Sequence, residues 1–305
     1  MELIRRLDSN SAHDCVVTIG GFDGIHLGHH ALIERLCAHG TRLGLPTMLV
    51  SFEPLPREYL QPADPPPRLT NFRERWRLLS STGLERLCVL TFSERLRTLT
   101  GLQFMQLLQA AHARIVVVGH DFRFGMGGEA SAQWCAERGS QFGFEVDVIS
   151  PVPIDGLRVS SGQVRDAVRV GDFAHARRLL GRPYGMRGRV RCGNRLGRTL
   201  GFPTANVAVK RRRVPLSGVF AVRAHGAGLS AWPGVANLGT RPMVGGTHML
   251  LEVHLFDFSG DLYGRELEVE FVARLRDEAS FASMDAMVQQ MHRDAAQARR
   301  QLGER

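Results

Sequence analysis

The chain has 305 residues, 44% of them hydrophobic, which predicts about two domains with packed cores. No apolar run approaches the roughly 20 residues of a membrane-spanning helix, and residues 1–6 are not followed by the apolar core of a signal peptide. The formal net charge of +9 favours anionic partners such as nucleotides or, less specifically, nucleic acid.

The first informative stretch is TIGGFDGIHLGH at residues 18–29. An apolar run at residues 15–19 predicts a strand before it, and apolar residues at helical spacing predict a helix over residues 29–43 after it. A strand, a glycine-rich turn and a helix start together present backbone N–H groups and the positive end of a helix dipole to an anion. His26 and His29 lie at this turn, where their side chains can donate hydrogen bonds to phosphate oxygens.

The order His26-Leu27-Gly28-His29 resembles the nucleotidyltransferase superfamily, which transfers AMP from ATP to a phosphate or carboxylate. In that superfamily the histidines hold the α- and β-phosphates in the transition state. The short pattern also fits a turn with two incidental histidines, but the full run GGFDGIHLGH after an apolar strand is more specific. The stretch is neither a Walker A loop nor a GxGxxG dinucleotide loop.

Strands and helices alternate through the rest of the first half, which predicts a parallel, doubly wound sheet. The predicted strands are residues 47–52, 86–90, 115–118 and 144–149, and the predicted helices are residues 72–79, 102–111 and 131–138. Ligands of such sheets bind beyond the carboxyl ends of the strands. We therefore expect the histidine turn, a proline-rich loop at residues 53–58 and the loop GHDFRFG at residues 119–125 to converge at one crevice.

The loop at residues 119–125 holds a carboxylate, Asp121, and two aromatic residues, Phe122 and Phe124. The phenylalanines fit either a slot for a flat ring or a packed loop with buried side chains. Downstream, VSSGQVR at residues 159–165 predicts a helix start with serine caps. Arg165 could hold a phosphate there or lie on the plain surface of the helix.

The pattern changes after a predicted helix at residues 173–180. Arg182-Pro183 breaks the chain, and short alternating strands follow, which predict a small antiparallel β-barrel. The predicted strands are residues 188–191, 219–224, 233–237, 249–255 and 266–275, and a final helix is predicted over residues 284–300. The predicted domains are residues 1–182 and 183–305, and a fragment starting near Pro183 should fold alone.

Within the barrel, Thr204 and Asn206 follow Pro203, whose φ is fixed, in the run GFPTAN. Their oxygens are hard ligands that suit Mg²⁺ carrying ATP phosphates. Glu252 lies in an alternating strand, on the face opposite Leu251, and could equally be a solvent-facing glutamate. The basic run at residues 210–213 fits a solvated loop, since no aromatic residues interleave with it as in a single-strand-binding platform.

Taken together, the motifs resemble the bacterial bifunctional riboflavin kinase/FMN adenylyltransferase family, also called FAD synthetase, from about Val16 to Ala298. The motifs of the first half are GGFDGIHLGH, SFEPLPRE, VVVGHDFRFG and VSSGQVR, and those of the second are GRVRCGNRLGRTLGFPTANV, SGVFAV, GVANLGTRP, LEVHLFDFSGDLYG and LRDEASF. The resemblance implies an α/β nucleotidyltransferase (Rossmann-like) domain with a parallel sheet. It also implies a small antiparallel β-barrel riboflavin kinase domain with a C-terminal helix.

The resemblance implies two reactions: ATP phosphorylates riboflavin to FMN in the second domain, and FMN receives AMP from ATP to give FAD and pyrophosphate in the first. It implies His26, His29 and Glu252 as catalytic residues, with Glu252 as the general base, and Thr204 and Asn206 as ligands of Mg²⁺. The implied ATP- and phosphate-binding residues are Gly20, Phe22, Asp23, Gly28, Ser160, Arg165, Gly201 and Pro203, and the implied flavin-binding residues are Asp121, Phe122 and Phe124.

Some positions depart from the family pattern. Leu55 stands where the family often has histidine, Met243 where it has threonine, and Gly162 and Gln163 where threonine and arginine are common. Two alternatives therefore stay open: a riboflavin kinase with a degenerate nucleotide-binding first domain, and a basic nucleic-acid-binding protein on the same scaffold. The expected partners are riboflavin, FMN, FAD and ATP, with no nucleic acid or membrane. The five scattered cysteines lack CxxC pairs, which indicates a reducing cytoplasm.

Overall fold

The computed structural model describes residues 1–7, 13–151, 153–154, 156–193, 197, 200–211, 213–243 and 246–304, and of these it gives residues 157, 240–243 and 246–248 as backbone only. The chain divides into two compact units. One comprises Met1–Pro66 and Phe72–Ser160, and the other comprises Pro67–Asn71 and Ser161–Arg305. Among the described residues, no helix is long and apolar enough to cross a bilayer.

The first unit contains a parallel sheet with helices on both faces. Its strands are β1 (Glu2–Ile4), β2 (Cys15–Ile19), β3 (Thr47–Phe52), β4 (Arg86–Leu90), β5 (Ala113–Gly119), β6 (Arg123–Phe124), β7 (Ala130–Ser131), β8 (Glu145–Ile149), β9 (Pro153–Ile154) and β10 (Leu157–Arg158). Its helices are α1 (Leu27–Leu43), α2 (Pro56–Leu60), α3 (Phe72–Ser80), α4 (Glu94–Arg97), α5 (Gly101–Ala110) and α6 (Ala132–Arg138), with 3₁₀ turns at Met126–Gly128 and Gly139–Phe142.

The described strands of this sheet run in the order β1-β4-β3-β2-β5-β8, and each paired neighbour is parallel. Strands β2 and β3 are buried along their whole length because helices cover both faces of the sheet. Alternate residues enter opposite cores: Val17 packs in one, and Val16 in the other. The strand order reverses direction between β2 and β5, which opens a crevice at their carboxyl ends.

The second unit contains two helices followed by a closed antiparallel barrel and a last helix. The elements are α7 (Ser161–Val170), α8 (Phe173–Leu180), β11 (Gly185–Arg191), β12 (Ala205–Val207), β13 (Gly218–Gly226), β14 (Leu229–Met243), β15 (Gly246–Leu255), β16 (Glu266–Arg276) and α9 (Met284–Leu302). The described barrel strands close in the order β11-β12-β15-β14-β13-β16. Helix α8 packs on the barrel through Phe173, whose ring lies 6.0 Å from that of Phe220 and 5.8 Å from that of Phe271.

Helix α9 is fixed to the barrel by a buried ion pair and an apolar end. Asp294 of α9, with 5% of its side chain exposed, accepts hydrogen bonds from Arg276 of β16 at 2.7–3.0 Å. Ala298 and Leu302 bury the C-terminal half of the helix against Ala221. The predicted fold class, a parallel α/β domain followed by an antiparallel barrel and a C-terminal helix, is confirmed.

The loop prediction for residues 53–58 is wrong in its second half, because α2 begins at Pro56. Proline is favoured at the first position of a helix, where its missing N–H would have no helical partner. The predicted boundary between residues 182 and 183 stays a prediction.

Candidate active sites

The turn after β2 holds His26 and His29 against the start of α1. His26 is the N-cap of α1, and its Nδ1 accepts the backbone N–H of His29 at 3.3 Å. The Nδ1 of His29 accepts the backbone N–H of His26 at 3.4 Å, and the two rings stack with centroids 3.6 Å apart. Because both Nδ1 atoms are acceptors, the proton of each neutral ring lies on Nε2, the atom that can donate to a ligand oxygen.

The backbone of this turn explains why it needs glycine. A Cβ at Gly28 would lie 3.2 Å from the His26 ring, so glycine lets that ring fold over the helix start. Phe22 and Ile25 have φ values of 48° and 43°, which are uncommon for residues with a Cβ. Such strain clusters at ligand sites. Gly20, Phe22 and Asp23, three of the predicted phosphate-binding residues, lie in this turn, and Phe22 packs its ring 4.7 Å from that of His29.

Arg75 of α3 joins this turn to the end of β3, and the sequence did not single it out. Its side chain is 1% exposed and donates to the carbonyl oxygens of Gly21 at 2.9 Å and Phe52 at 3.4 Å. It also pairs with Glu53 at 3.1 Å. In the sequence, the available indication was its spacing: Arg75 lies four residues before Leu79 and therefore on the same, buried face of the helix.

Leu55, which stands where the family often has histidine, also lies against the turn. It is the N-cap of α2, is 7% exposed, and has its Cδ2 3.6 Å from the position that a Cβ on Gly21 would take. An apolar side chain therefore covers Gly21 where the family pattern would place an imidazole.

The loop after β5 lies on the other side of the crevice. Asp121 is exposed and pairs with Arg158. Phe124 is buried against Phe104 and Trp134, with ring centroids 5.5 and 5.9 Å away, as the packed-loop interpretation expects. Phe122 stacks on Phe124 at 5.3 Å but is only half-buried, so the geometry favours Phe122 over Phe124 as a contact for a flat ligand.

The two remaining predicted residues of the first half belong to different units. Ser160 ends the first unit, directly after Val159, whose carbonyl oxygen lies 3.6 Å from the Cβ position of Gly28. Arg165 lies on α7 in the second unit, where its Nε donates to the carbonyl oxygen of Pro67 at 2.7 Å. Their phosphate-binding roles stay predictions.

In the second unit, three polar residues lie in register on adjacent barrel strands. Asn206 of β12 pairs with Glu252 of β15, which pairs in turn with Asn237 of β14. Directly opposed residues face the same side of a sheet, so the three side chains form a row. Leu251 and Val253, which alternate with Glu252, are fully buried on the other face.

Glu252 and Asn237 line a cavity of about 330 Å³ instead of open surface. The cavity also reaches the C-terminal segment that follows β16, and its lining mixes polar and apolar groups. Its lining includes Thr204, Asn206, Asn237, Glu252, His254, Arg276, Glu278, Phe281, Met287 and Met291. This mixture suits a ligand with a flat apolar ring and a polar chain.

A second cavity of about 330 Å³ shares Thr204 with the first. Its lining includes Val190, Pro203, Thr204, Ala205, Leu255, Phe258, Asp261 and Tyr263. Thr204 therefore lies where ligands in the two cavities would meet. Gly201, in a turn with φ of 79°, precedes this segment.

Thr204 and Asn206 fit a magnesium site by their chemistry and by the space around them. A Cβ on Gly193 would lie 2.4 Å from the Asn206 amide nitrogen, and one on Gly197 would lie 3.4 Å from the Thr204 hydroxyl, so glycine backbone packs closely on both side chains. Within the described part of the chain, no group of three or more His, Cys, Asp or Glu residues could hold a metal. A magnesium ion here would rest on a hydroxyl, an amide and ligand phosphates, a set that this ion commonly uses.

Two predicted features fall partly outside the described residues. Met243 lies on β14, but its side chain is not among those described. Arg212, in the basic run, also lies outside them.

Comparisons with known proteins match the two units to two families. Residues 8–163 match the FAD synthetase family, and residues 180–302 match the riboflavin kinase family. The bifunctional riboflavin kinase/FMN adenylyltransferase of Pseudomonas fluorescens is 45% identical, covering 98% of this chain and 97% of its own. The chain belongs to the bifunctional riboflavin kinase/FMN adenylyltransferase family.

Further relatives agree with this membership. The bifunctional enzyme of Escherichia coli K12 is 42% identical over 99% of this chain and 98% of its own. A solved structure named macrolide-efflux protein, from Streptococcus pneumoniae, superimposes with a TM-score of 0.81 at 32% identity, covering 96% of this chain and 97% of that one. The efflux activity in that name is a statement about that protein, and the likeness shows the shared fold. The family resemblance seen in the sequence is thus confirmed.

Proposed function

We propose that this chain makes FMN and then FAD, with one site in each compact unit. The observation that carries the proposal is the separation of two unlike constellations. The histidine pair at the start of α1 lies in the first unit, and the Asn206–Glu252–Asn237 row lies in the second. Each constellation lies within its own family match.

In the kinase site, Glu252 acts as the general base. Its carboxylate takes the proton of the riboflavin 5′-hydroxyl, the oxygen attacks the γ-phosphorus of ATP, and ADP leaves. Riboflavin occupies the cavity that Glu252 lines, with its ring toward Phe281 and Met287, and adenine occupies the cavity beside Phe258 and Tyr263. A base of this kind typically contributes about 10²–10⁴-fold to the rate.

Thr204 and Asn206 would hold the Mg²⁺ that accompanies ATP. The ion, when bound, neutralises phosphate charge during transfer. Thr204 is placed for this role because it lines both cavities, so the γ-phosphate and the accepting hydroxyl would meet beside it. Gly201 and Pro203 shape the backbone that presents it.

In the adenylyltransferase site, an oxygen of the FMN phosphate attacks the α-phosphorus of ATP, and pyrophosphate leaves. The Nε2–H groups of His26 and His29 donate to the phosphate oxygens on which charge builds up. The N-terminus of α1 adds its N–H groups and dipole at the same point. Gly20, Phe22, Asp23, Gly28 and Ser160 would contact the ATP phosphates around this histidine pair. Asp121 and Phe122 lie where the flavin of FMN would bind, with Phe124 behind them.

We further propose that the protein works in the cytoplasm on riboflavin, FMN, FAD and ATP, with no nucleic-acid or membrane partner. All five cysteines are free thiols. Burial raises the pKa of Cys15 and of Cys135 to about 11, so both are inert core thiols suited to a reducing compartment.

The test is to incubate the purified chain with riboflavin, ATP and MgCl₂ and to resolve FMN and FAD by chromatography. Both products are expected, and FAD alone is expected when FMN replaces riboflavin. FMN without FAD would instead support a degenerate first unit. Excess EDTA should stop both reactions, and undiminished turnover in EDTA would contradict the magnesium requirement.

A further inference from the structure

The segment that carries Thr204 is held weakly by the barrel itself. Its first ladder pair is Ala205 with Val253, one residue after Thr204. Pro203, one residue before Thr204, has no backbone N–H and can be held by a backbone hydrogen bond only through its carbonyl oxygen. Phe202, before that, donates its N–H to the Gly197 carbonyl at 2.8 Å. The position of Thr204 therefore depends on what binds the Pro203 carbonyl.

His254 binds that carbonyl. Its Nδ1 lies 2.9 Å from the Pro203 oxygen, and because a carbonyl can only accept, Nδ1 carries the proton and donates. His254 lies two residues after Glu252 on β15, so both side chains emerge from the same face of one strand. One strand thus presents the proposed base and the group that anchors the Thr204 segment.

Ring packing around Phe202 reinforces this anchor from two sides. Phe202, 6% exposed, has the His254 ring 5.1 Å away and the His292 ring of α9 4.8 Å away. His292 contacts the segment through this ring contact, whereas His254 contacts it through a ring contact and a hydrogen bond. Variants of His292 and His254 can therefore separate the loss of a ring contact with Phe202 from the loss of the hydrogen bond to Pro203.

We propose that His254 is a positioning residue for riboflavin phosphorylation, an inference that rests on the proposed function. Through the Nδ1–H···O=C bond to Pro203, it fixes Thr204 at the distance from Glu252 that phosphoryl transfer needs, whereas the β12–β15 ladder already holds Asn206 opposite Glu252. It acts through the segment and does not bind the reacting groups. Removing a hydrogen bond that orients ligand-bearing groups typically costs about 10–100-fold in activity or metal affinity.

The test compares His254→Asn with His254→Leu in the full chain. The two replacements have the same branched shape, but only asparagine can donate a hydrogen bond near the position of Nδ1. We expect His254→Leu to lower the kinase kcat by about 10–100-fold, to raise the half-saturating Mg²⁺ concentration, and to weaken MgADP binding measured by calorimetry. Because His254 also lines the cavity proposed for riboflavin, riboflavin affinity, measured by flavin fluorescence without turnover, should fall by less than the kcat does. His254→Asn should recover most of the loss.

Two controls accompany the test of His254. Adenylylation of supplied FMN should be unaffected in every variant, which reports folding of the first unit, and circular dichroism reports the barrel. His292→Ala removes a ring from Phe202 and no hydrogen bond from Pro203, so the kinase kcat should stay within about threefold.

The proposal is overturned if His254→Leu matches the wild type, if His254→Asn is as impaired as His254→Leu, or if the loss appears in riboflavin affinity alone. Unfolding of both His254→Leu and His254→Ala would also overturn it, because His254 would then be a residue of the barrel's structure. A wild-type chain that makes no FMN would refute the proposed function itself, which distinguishes the two failures.

Discussion

Arg75 bridges the histidine turn and the end of β3, beside the Ser51 hydroxyl, which also donates to the Gly21 carbonyl at 3.3 Å. Its buried guanidinium binds the carbonyl oxygens of Gly21 and Phe52 and the carboxylate of Glu53. Arg75→Met keeps most of the volume but removes the guanidinium donor from these three acceptors. We expect the free energy of unfolding of the first unit to fall by about 3 kcal/mol, at the low end for a broken buried pair because Glu53 is partly exposed.

Arg75→Met should also slow FAD formation from FMN, since Gly21 belongs to the proposed phosphate-binding turn, and leave FMN formation unchanged. Urea unfolding followed by tryptophan fluorescence measures the stability in a Trp232→Phe background, because Trp76 and Trp134 lie in the first unit and Trp232 lies in the second. Arg77→Met, on the exposed face of α3, is the matched control and should change little. Equal stability of the two variants would show that Arg75 does not hold the turn.

Which site residues the sequence could reveal depends on how they act. His26, His29, Thr204 and Asn206 lie in contiguous motifs, and the residue types and spacing of these motifs indicate the proposed phosphate and magnesium chemistry. Arg75, Asn237 and His254 act across the fold, and the sequence does not indicate their roles, although Asn237 and His254 lie within the motifs GVANLGTRP and LEVHLFDFSGDLYG. Each becomes visible only when strand register or helix packing brings it to the site, as Asn237 does beside Glu252.

Asp147 gives a prediction about pH. It lies on β8 and accepts hydrogen bonds from His39 and Arg35 of α1, both at 2.6 Å. Burial acts to raise the pKa of Asp147, but these hydrogen bonds together lower it below its usual value of 3.8. A lowered folded-state pKa adds stability that is present above the unfolded value and lost as the pH falls through the folded value.

Asp147→Asn should therefore lower the free energy of unfolding by about 0.2–1 kcal/mol at pH 7, the usual range for a partly exposed pair. The deficit should persist at pH 5 and shrink toward zero below the usual carboxyl pKa. Urea titrations of both proteins at pH 7, 5 and 3 test this. A deficit of constant size across that range would mean that the carboxylate charge is not what stabilises the contact.

Among the elements, those defined by a long apolar pattern were predictable. Strand β4 and helix α8 have the predicted bounds, because burial of one face imposes a clear period. Strand β14 extends from Leu229 to Met243, beyond the predicted residues 233–237, since Pro233 reads as a break but lies opposite Arg223 in the ladder. Strand β12 has three residues, too few to show any period.

Helices α7 and α8 pack with the barrel, which bears on where the kinase fragment should begin. Phe173 of α8 contacts Phe220 and Phe271, and Arg274 of β16 donates to the Arg169 carbonyl at 2.9 Å. A fragment starting near Pro183 is predicted to fold and to phosphorylate riboflavin, but it exposes the surface that Phe173 covers. We expect a fragment starting at Ser161 to be more stable.

The contribution of the contact between α8 and the barrel to stability can also be tested in the full chain. Phe173→Ala should destabilise the second unit by about 3–5 kcal/mol, the usual cost of removing a buried phenylalanine ring. Thermal unfolding of the two fragments and of the variant provides the measurement, with FMN formation as the functional readout. Equal unfolding temperatures for the two fragments would contradict a stabilising role of α7 and α8.

At the scale of the whole molecule, the product of one unit is the substrate of the other. Two compact units with unlike chemistry need not share any catalytic group, so each reaction should depend on its own residues. His29→Ala removes one of the two proposed donors to the transition-state charge, and losing such a donor typically costs about 10²–10³-fold in rate. It should stop FAD formation and let FMN accumulate. Glu252→Gln keeps the shape but removes the proposed base, so riboflavin should stay unphosphorylated while supplied FMN is still adenylylated.

The most stringent test of this prediction mixes the His29→Ala and Glu252→Gln proteins. Neither alone should convert riboflavin to FAD, whereas an equimolar mixture should, because FMN made by the His29→Ala protein can diffuse to the Glu252→Gln protein. Chromatography of FMN and FAD, with circular dichroism of each variant, provides the measurement. Glu268→Gln, an exposed glutamate on the barrel, serves as a control and should retain both activities. Loss of both activities in either folded variant would mean that the reactions share a site. A mixture that accumulates FMN but makes no FAD would mean that FMN passes between sites only within one molecule.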